Sequence, residues 1–164
     1  MIKNAELLKN GLIETTFPLE ENVKTLLLEK NWKELDQYFL DLSKPGGLLR
    51  NFFNEFLDYE KLEHIIAIRT APEDEDGIWH DDGSRFLGFS LSLNLFPEAI
   101  QGGELLFRLK GKKEAVIFTP RPYGTMIIFL SGLFGYEHKV TAVTKNERIV
   151  IAGWCSSNDL KHSG

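Results

Sequence analysis

A single cysteine, Cys155, stands among 164 residues, so no internal disulfide can form and a disulfide-stapled scaffold is excluded. Positive charge is in deficit too. Nineteen Lys and Arg face 24 Asp and Glu, a formal net charge of -5, which argues against a general binder of the nucleic-acid backbone. No hydrophobic run approaches the length of a membrane span, and the opening Met1-Ile2-Lys3-Asn4-Ala5-Glu6 lacks the apolar stretch of a secretory signal. There is no internal repeat and no low-complexity tract. The expectation is a soluble cytoplasmic protein with no membrane partner. It should form one domain over residues 1–164, a length that supports one core.

What is present falls into two parts, with a short tail over 158–164. Residues 1–62 read as helical. Between 19 and 42, Val23, Leu26, Leu27, Trp32, Leu35, Tyr38 and Phe39 recur at spacings of three and four, and Asn31 divides the stretch into two helices. Ser43-Lys44-Pro45-Gly46-Gly47 breaks the pattern, and a further helix is expected over 48–59. Residues 63–157 read as short strands: 64–69, 86–95, 104–109, 115–118, 125–130, 138–143 and 148–154. Lys110-Gly111-Lys112-Lys113 has hairpin-turn composition. Seven or eight strands after a helical layer imply an α+β, mainly β fold: a jelly-roll core with the N-terminal helices packed on one sheet.

The cleanest alternation runs from 89 to 95. Phe89, Leu91, Leu93 and Leu95 should face the helices, which turns Ser90, Ser92 and Asn94 toward an interior pocket.

The chemistry gathers around three short stretches. His80 and Asp82 lie two apart on a predicted strand and so point the same way, while Asp81 points to the other side. His138 begins one later strand and Arg148 the next. A lone His-x-Asp is common, and two unrelated histidines satisfied by backbone groups would be its ordinary explanation. The combination argues otherwise. Two histidines and a carboxylate can hold one face of an iron ion and leave the other open. Arg148 heads the inward row Val150, Ala152, Trp154, and a buried arginine needs an anion.

Other residues carry weaker signals. Glu73-Asp74-Glu75-Asp76 reads as a flexible solvated loop, with a lid attracting a basic substrate as the alternative. Trp79 reads as packing, and Trp154 as either pocket lining or core. Arg108, Lys110, Lys112 and Lys113 are expected to be solvated. His64 and His162 lack partners at a matching spacing. Cys155 reads as a small buried residue.

His80-x-Asp82, His138, Arg148 and Trp154, with Gly102-Gly103-Glu104-Leu105 between them, resemble the prolyl-4-hydroxylase-like branch of the Fe(II)/2-oxoglutarate dioxygenases. Arg85 followed by Leu93-Asn94 resembles that branch's arginine-led strand ending in Leu-Asn. Pro122-Tyr123-Gly124 fits its Pro-x-x-Gly-like turn loosely. The resemblance spans residues 64–156.

It implies a double-stranded β-helix with Fe(II) on His80, Asp82 and His138, and 2-oxoglutarate with its distal carboxylate on Arg148. It further implies O2 as oxidant, ascorbate as a candidate reductant, and hydroxylation of a C–H bond with release of succinate and CO2. Two tyrosines common in the branch are missing: Ala67-Ile68-Arg69-Thr70 occupies the place of one and Ser92 that of the other, which places Ser92 beside the co-substrate. Arg85, Asn94 and Trp154 are the candidates for the substrate pocket. The implied substrate is a protein or peptide side chain. The alternatives are the same chemistry on a small metabolite or free amino acid, or a non-catalytic cupin-like metal-binding module. A nucleic-acid demethylase fits less well, because Trp154 stands where base-repair relatives carry a further arginine. A zinc hydrolase would leave Arg148 without a role.

Overall fold

Alternation of apolar and polar residues after position 60 does build strands, and they face one another in two layers in a computed structural model describing residues 1–132 and 136–157. The tail 158–164, with His162, lies outside the described residues.

Four helices precede most of the sheet: α1 Ala5–Asn10, α2 Asn22–Leu28, α3 Trp32–Ser43 and α4 Leu48–Asn54. Asn31 opens α3 as expected, its side chain accepting a hydrogen bond from the Glu34 amide. The last helix is shorter than its apolar spacing suggested and ends at Asn54 rather than near 59. One strand interrupts the N-terminal region. Gly11, at φ +71°, caps α1 and turns the chain, and Leu12–Thr16 forms β1.

The others are β2 Lys61–Thr70, β3 Leu87–Ser92, β4 Gln101–Gly102, β5 Leu105–Leu109, β6 Val116–Phe118, β7 Thr125–Leu130, β8 Tyr136–Val140, β9 Val143–Lys145 and β10 Glu147–Ser156. The major sheet has the order β1-β7-β3-β10-β2, with every pair antiparallel. Opposite it lie the three-stranded β6-β5-β8 and the two-stranded β4-β9. This is the expected double-stranded β-helix with helices on one sheet.

The major sheet has two different faces. Its outer face carries Phe89, Leu91, Met126, Ile128, Ile151 and Cys155, all buried with Leu35, Phe39, Leu49 and Phe53 of the helices. Phe53 and Phe89 meet with ring centroids 4.7 Å apart. Its inner face packs Ile127 and Phe129 against Leu105 and Phe107 of the facing sheet. That second core is small, which leaves interior volume for a site.

One expected strand is not there. Residues 77–83 make only a single antiparallel bridge, His80 with His138. The ladder stops because Asp81 Oδ1 accepts from the Gly83 amide and Gly83 takes φ +60°, a turn that a continuing strand cannot contain.

Candidate active site

The bridge that replaces the strand still brings the triad together. His80 and His138 exchange both backbone hydrogen bonds, at 3.1 and 2.9 Å. Their rings lie 4.2 Å apart between centroids. Asp82 reaches both: its Oδ1 is 3.8 Å from His80 Nε2 and its Oδ2 is 3.7 Å from His138 Nε2. One ligand atom from each residue lies within 4.8 Å of the others.

The surroundings prepare these groups for a cation. His80 Nδ1 lies 2.9 Å from the Ile78 carbonyl, which fixes the proton there and leaves the Nε2 lone pair toward Asp82. His138 is buried, and among the described residues neither of its ring nitrogens has a hydrogen bond. Burial pushes its pKa down to about 4, with Asp82 opposing and His80 reinforcing the shift, so the ring is neutral at pH 7 and free to donate a lone pair. Phe129 packs 4.8 Å from it, centroid to centroid. Ser131, fully buried, accepts from the Asp82 amide at 3.2 Å and donates to its Oδ2 at 3.4 Å. Two imidazoles and a carboxylate, with unspent acceptors on one side, fit a divalent iron. Asp81 turns away, as expected, and pairs with Lys110.

A small cleft of mixed polar and apolar lining lies on the inner face of the major sheet. Its walls include Ser90, Ser92, Asn94, Gly103, Ile127, Thr119, Arg121 and Arg148. Its Ile127 and Leu105 stand two residues from Phe129 and Phe107, the rings that pack near His138. Arg148 is 4% exposed, and among the described residues its guanidinium makes no hydrogen bond and no ion pair. Burial, with the neighbouring charge of Arg69, lowers its pKa to about 10, against a smaller opposing pull from Asp74. Among the described residues it is therefore a cation without a paired anion, lining a cleft that also carries Ser90, Ser92 and Asn94.

Gly103 makes room for it. A Cβ at that position would stand 2.9 Å from Arg148 Cδ and 2.9 Å from Val143 Cγ2, on a backbone already at φ +65°. The sequence motif Gly102-Gly103 thus has a steric reason.

The other expected site residues divide. Ser92 lines the Arg148 cleft, but its hydroxyl is engaged: it donates to the Arg121 carbonyl at 2.6 Å and accepts from the Asn94 amide groups. Asn94 is buried, and its Oδ1 accepts from the Ile149 amide, next to Arg148. Arg85 stacks on Trp154, 4.3 Å from guanidinium carbon to ring centroid, with Glu63 3.8 Å from its Nη2. Its amide bonds the Asp82 carbonyl, so this stack adjoins the triad.

Trp79 packs under Arg108 and Lys139, as expected of a structural residue. Arg108 and Lys110 are not merely solvated: they pair with Glu137 and Asp81. His64 does have a partner, Asp36 at 2.9 Å, across a separation in sequence of 28. The acidic run is not a free loop either, since Asp74 and Asp76 each accept a backbone amide.

Gly103 was part of the quoted motif without an assigned role, and Ser131 is the contributor that no local pattern marked.

The model of the 2OG-Fe(II) oxygenase superfamily matches residues 68–156, which contain all three triad residues and Arg148. A PKHD-type hydroxylase from Hyphomonas neptunium (strain ATCC 15444) is 40% identical over 78 residues, or 46% of this chain and 32% of that protein. The match thus spans about a third of the curated relative's length. Among solved structures, a Pseudomonas putida prolyl-4-hydroxylase aligns with TM-score 0.66 and 22% identity over 93% of this chain and 88% of its own. A prolyl hydroxylase from Trichoplax adhaerens, solved with a hypoxia inducible factor oxygen degradation domain peptide fragment, aligns with TM-score 0.64 and 14% identity over 97% and 89%. At these identities the structural likeness concerns the fold.

Proposed function

Since the chain belongs to the 2OG-Fe(II) oxygenase superfamily, we propose that it is a hydroxylase acting on an unactivated C–H bond of a protein or peptide side chain. The single observation that carries the assignment of residues is the buried Arg148, without a partner among the described residues, lining a cleft on the inner face of the major sheet. Fe(II), 2-oxoglutarate and O2 supply together an oxidant for C–H hydroxylation, with 2-oxoglutarate leaving as succinate and CO2. His80, Asp82 and His138 would hold the iron through Nε2, a carboxylate oxygen and Nε2. Arg148 would take the distal carboxylate of 2-oxoglutarate, and Ser92 would shape the wall beside it.

The chain's own residues do the rest. His80 keeps its proton on Nδ1 through Ile78, and Ser131 fixes the orientation of Asp82. Phe107 and Phe129 keep water from the inner side of His138.

A polypeptide is favoured over a small metabolite by the open side of the major sheet. By register, Glu63 and Ile65 of β2 share a face with Trp154 and Ala152 of β10. Ile65 is 50% exposed there, beside the Arg85–Trp154 stack. An open surface of this kind, with Ile65 and Trp154 beside the charged Glu63 and Arg85, suits an extended chain, whereas a free amino acid would need enclosure. Asn94, clamped on Ile149, braces this site rather than contacting substrate. A lone buried cysteine accords with a reducing cytoplasm. No helix among the described residues is long and apolar enough to cross a membrane.

The test is anaerobic titration of metal-free protein with Fe(II) and 2-oxoglutarate, following the visible charge-transfer band of the chelate. The band should vanish in His80→Ala and weaken in Arg148→Ala. Iron binding with no band would point to a metal-binding module instead. Peptide and amino-acid panels scored by succinate release and by gain of one oxygen atom then separate the substrate classes. Turnover of free amino acids alone would remove the polypeptide reading.

A further inference from the structure

The acidic run 73–76 precedes His80 and runs beside the chain that leaves His138. Ala71 donates to the Asn146 carbonyl at 3.1 Å, Gly77 to the Val140 carbonyl at 2.8 Å, and His80 to the His138 carbonyl at 3.1 Å. Between these points the backbone of 74–76 gives no carbonyl to the facing amides. The side chains do so instead. Asp74 Oδ2 accepts from the Val143 amide at 2.7 Å, and Asp76 Oδ1 from the Ala142 amide at 2.7 Å. Taken in order, the partners of 71, 74, 76, 77 and 80 are 146, 143, 142, 140 and 138. The loop is therefore an antiparallel companion of β8 and β9 in which two carboxylates stand in for strand carbonyls.

Asp74 is also tied to the major sheet. Its Oδ1 lies 3.1 Å from Arg69 Nη1, which donates as well to the Glu75 carbonyl at 3.0 Å. Its side chain is 12% exposed. Burial alone would raise its pKa, but the Val143 amide and Arg69 outweigh that and hold the carboxyl below its usual range. The corner 140–143 is gripped from its other side too, where the Thr141 amide bonds Glu104 and the Gly103 amide bonds Ala142.

We propose that Asp74 and Asp76 are positioning residues: they form a clasp that fixes the His80–Asp82 segment against the His138 strand before any metal arrives. The proposal rests on reading those three residues as ligands. The segment has one isolated bridge of its own, His80 with His138. The clasp adds two hydrogen bonds to the Gly77–Val140 bond and to the Trp79, Asp81 and Ser131 contacts that also hold it. Asparagine at 76 keeps an acceptor oxygen for the Ala142 amide, whereas alanine does not.

The experiment uses the full chain with Asp74→Ala/Asp76→Ala, Asp76→Ala and Asp76→Asn. Amide hydrogen exchange of the metal-free protein reads Gly77, His80 and His138, and Co(II) titration reads the affinity of the triad. In the double variant, and less so in Asp76→Ala, exchange at those amides should accelerate and Co(II) should bind about 10- to 100-fold more weakly. Asp76→Asn should restore both. Unchanged exchange and unchanged affinity in the double variant would overturn the clasp, as would lowered melting temperature with Co(II) affinity intact. If the double variant does not fold, Asp76→Ala against Asp76→Asn makes the same distinction. Wild-type protein that binds neither Co(II) nor Fe(II) would overturn the proposed function, while the exchange data would still decide whether the carboxylates hold the segment.

Discussion

The two faces of β3 differ more than any two helices do. Phe89 and Leu91 enter the helical core without a polar atom, while Ser90 and Ser92, one residue away each, line the cleft that ends at Arg148. The same division runs along β10, where Ile151 and Cys155 lie on the outer side and Arg148 and Val150 on the inner. One face lowers the free energy of the fold and the other holds groups that the fold by itself does not need. Period-two alternation allows the two tasks to share a backbone without sharing side chains.

This division can be broken at graded cost. The largest effect is expected from Asp82→Ala, which should abolish metal-dependent turnover while the metal-free protein melts close to wild type, as followed by succinate release and circular dichroism. Phe89→Ala on the opposite face should do the reverse: about 4 kcal/mol lost in denaturant unfolding, with metal affinity kept in whatever fraction folds. Arg148→Met should weaken 2-oxoglutarate binding by about 3 kcal/mol. It should also leave the metal-free protein as stable or more so, because an uncompensated buried cation is removed. Isothermal titration and melting of the same sample check both halves.

Gly103→Ala should cost about 2 kcal/mol of stability through its left-handed backbone. It should also raise the KM for 2-oxoglutarate, since the new methyl meets Arg148 Cδ. Ser92→Ala is the mildest, about 1 kcal/mol, from the hydrogen bonds to Arg121 and Asn94. A larger change in 2-oxoglutarate KM than in stability would assign Ser92 to the inner face's task.

Which parts were legible in the sequence follows from how local their cause is. The alternation through 89–95 needs only neighbouring residues, and it placed the helical face and the cleft face correctly. His80-x-Asp82 was legible as a motif even though the strand expected to carry it is a turn with one bridge. The triad survives because the His80–His138 pair supplies the geometry that the strand was to supply. The strand Leu12–Thr16 is a five-residue run inside a helical stretch, and its pairing with β7 depends on a partner beginning at Thr125.

Ser131 supports Asp82 across 49 residues, and Asp74 and Asp76 find their amides 69 and 66 residues away. Such contacts depend on sheet register, which no local pattern encodes. The acidic run therefore had the composition of a solvated loop and the structure of a strand's companion. Arg148 was legible as an inward cation, but its lack of a partner among the described residues required the whole interior to be seen.

Cys155 lies at the outer face of β10, fully buried beneath the helices, and burial pushes its thiol up, so it stays protonated. The major sheet itself stands between that sulfur and the triad. An enzyme that handles iron and oxygen exposes its own side chains to oxidative wear, and thiolates are the first to suffer. Here the only thiol sits on the sheltered side of a β-sheet wall, in its least reactive form. Storage without reductant should therefore leave the fold unchanged, since the buried thiol is not offered to oxidants.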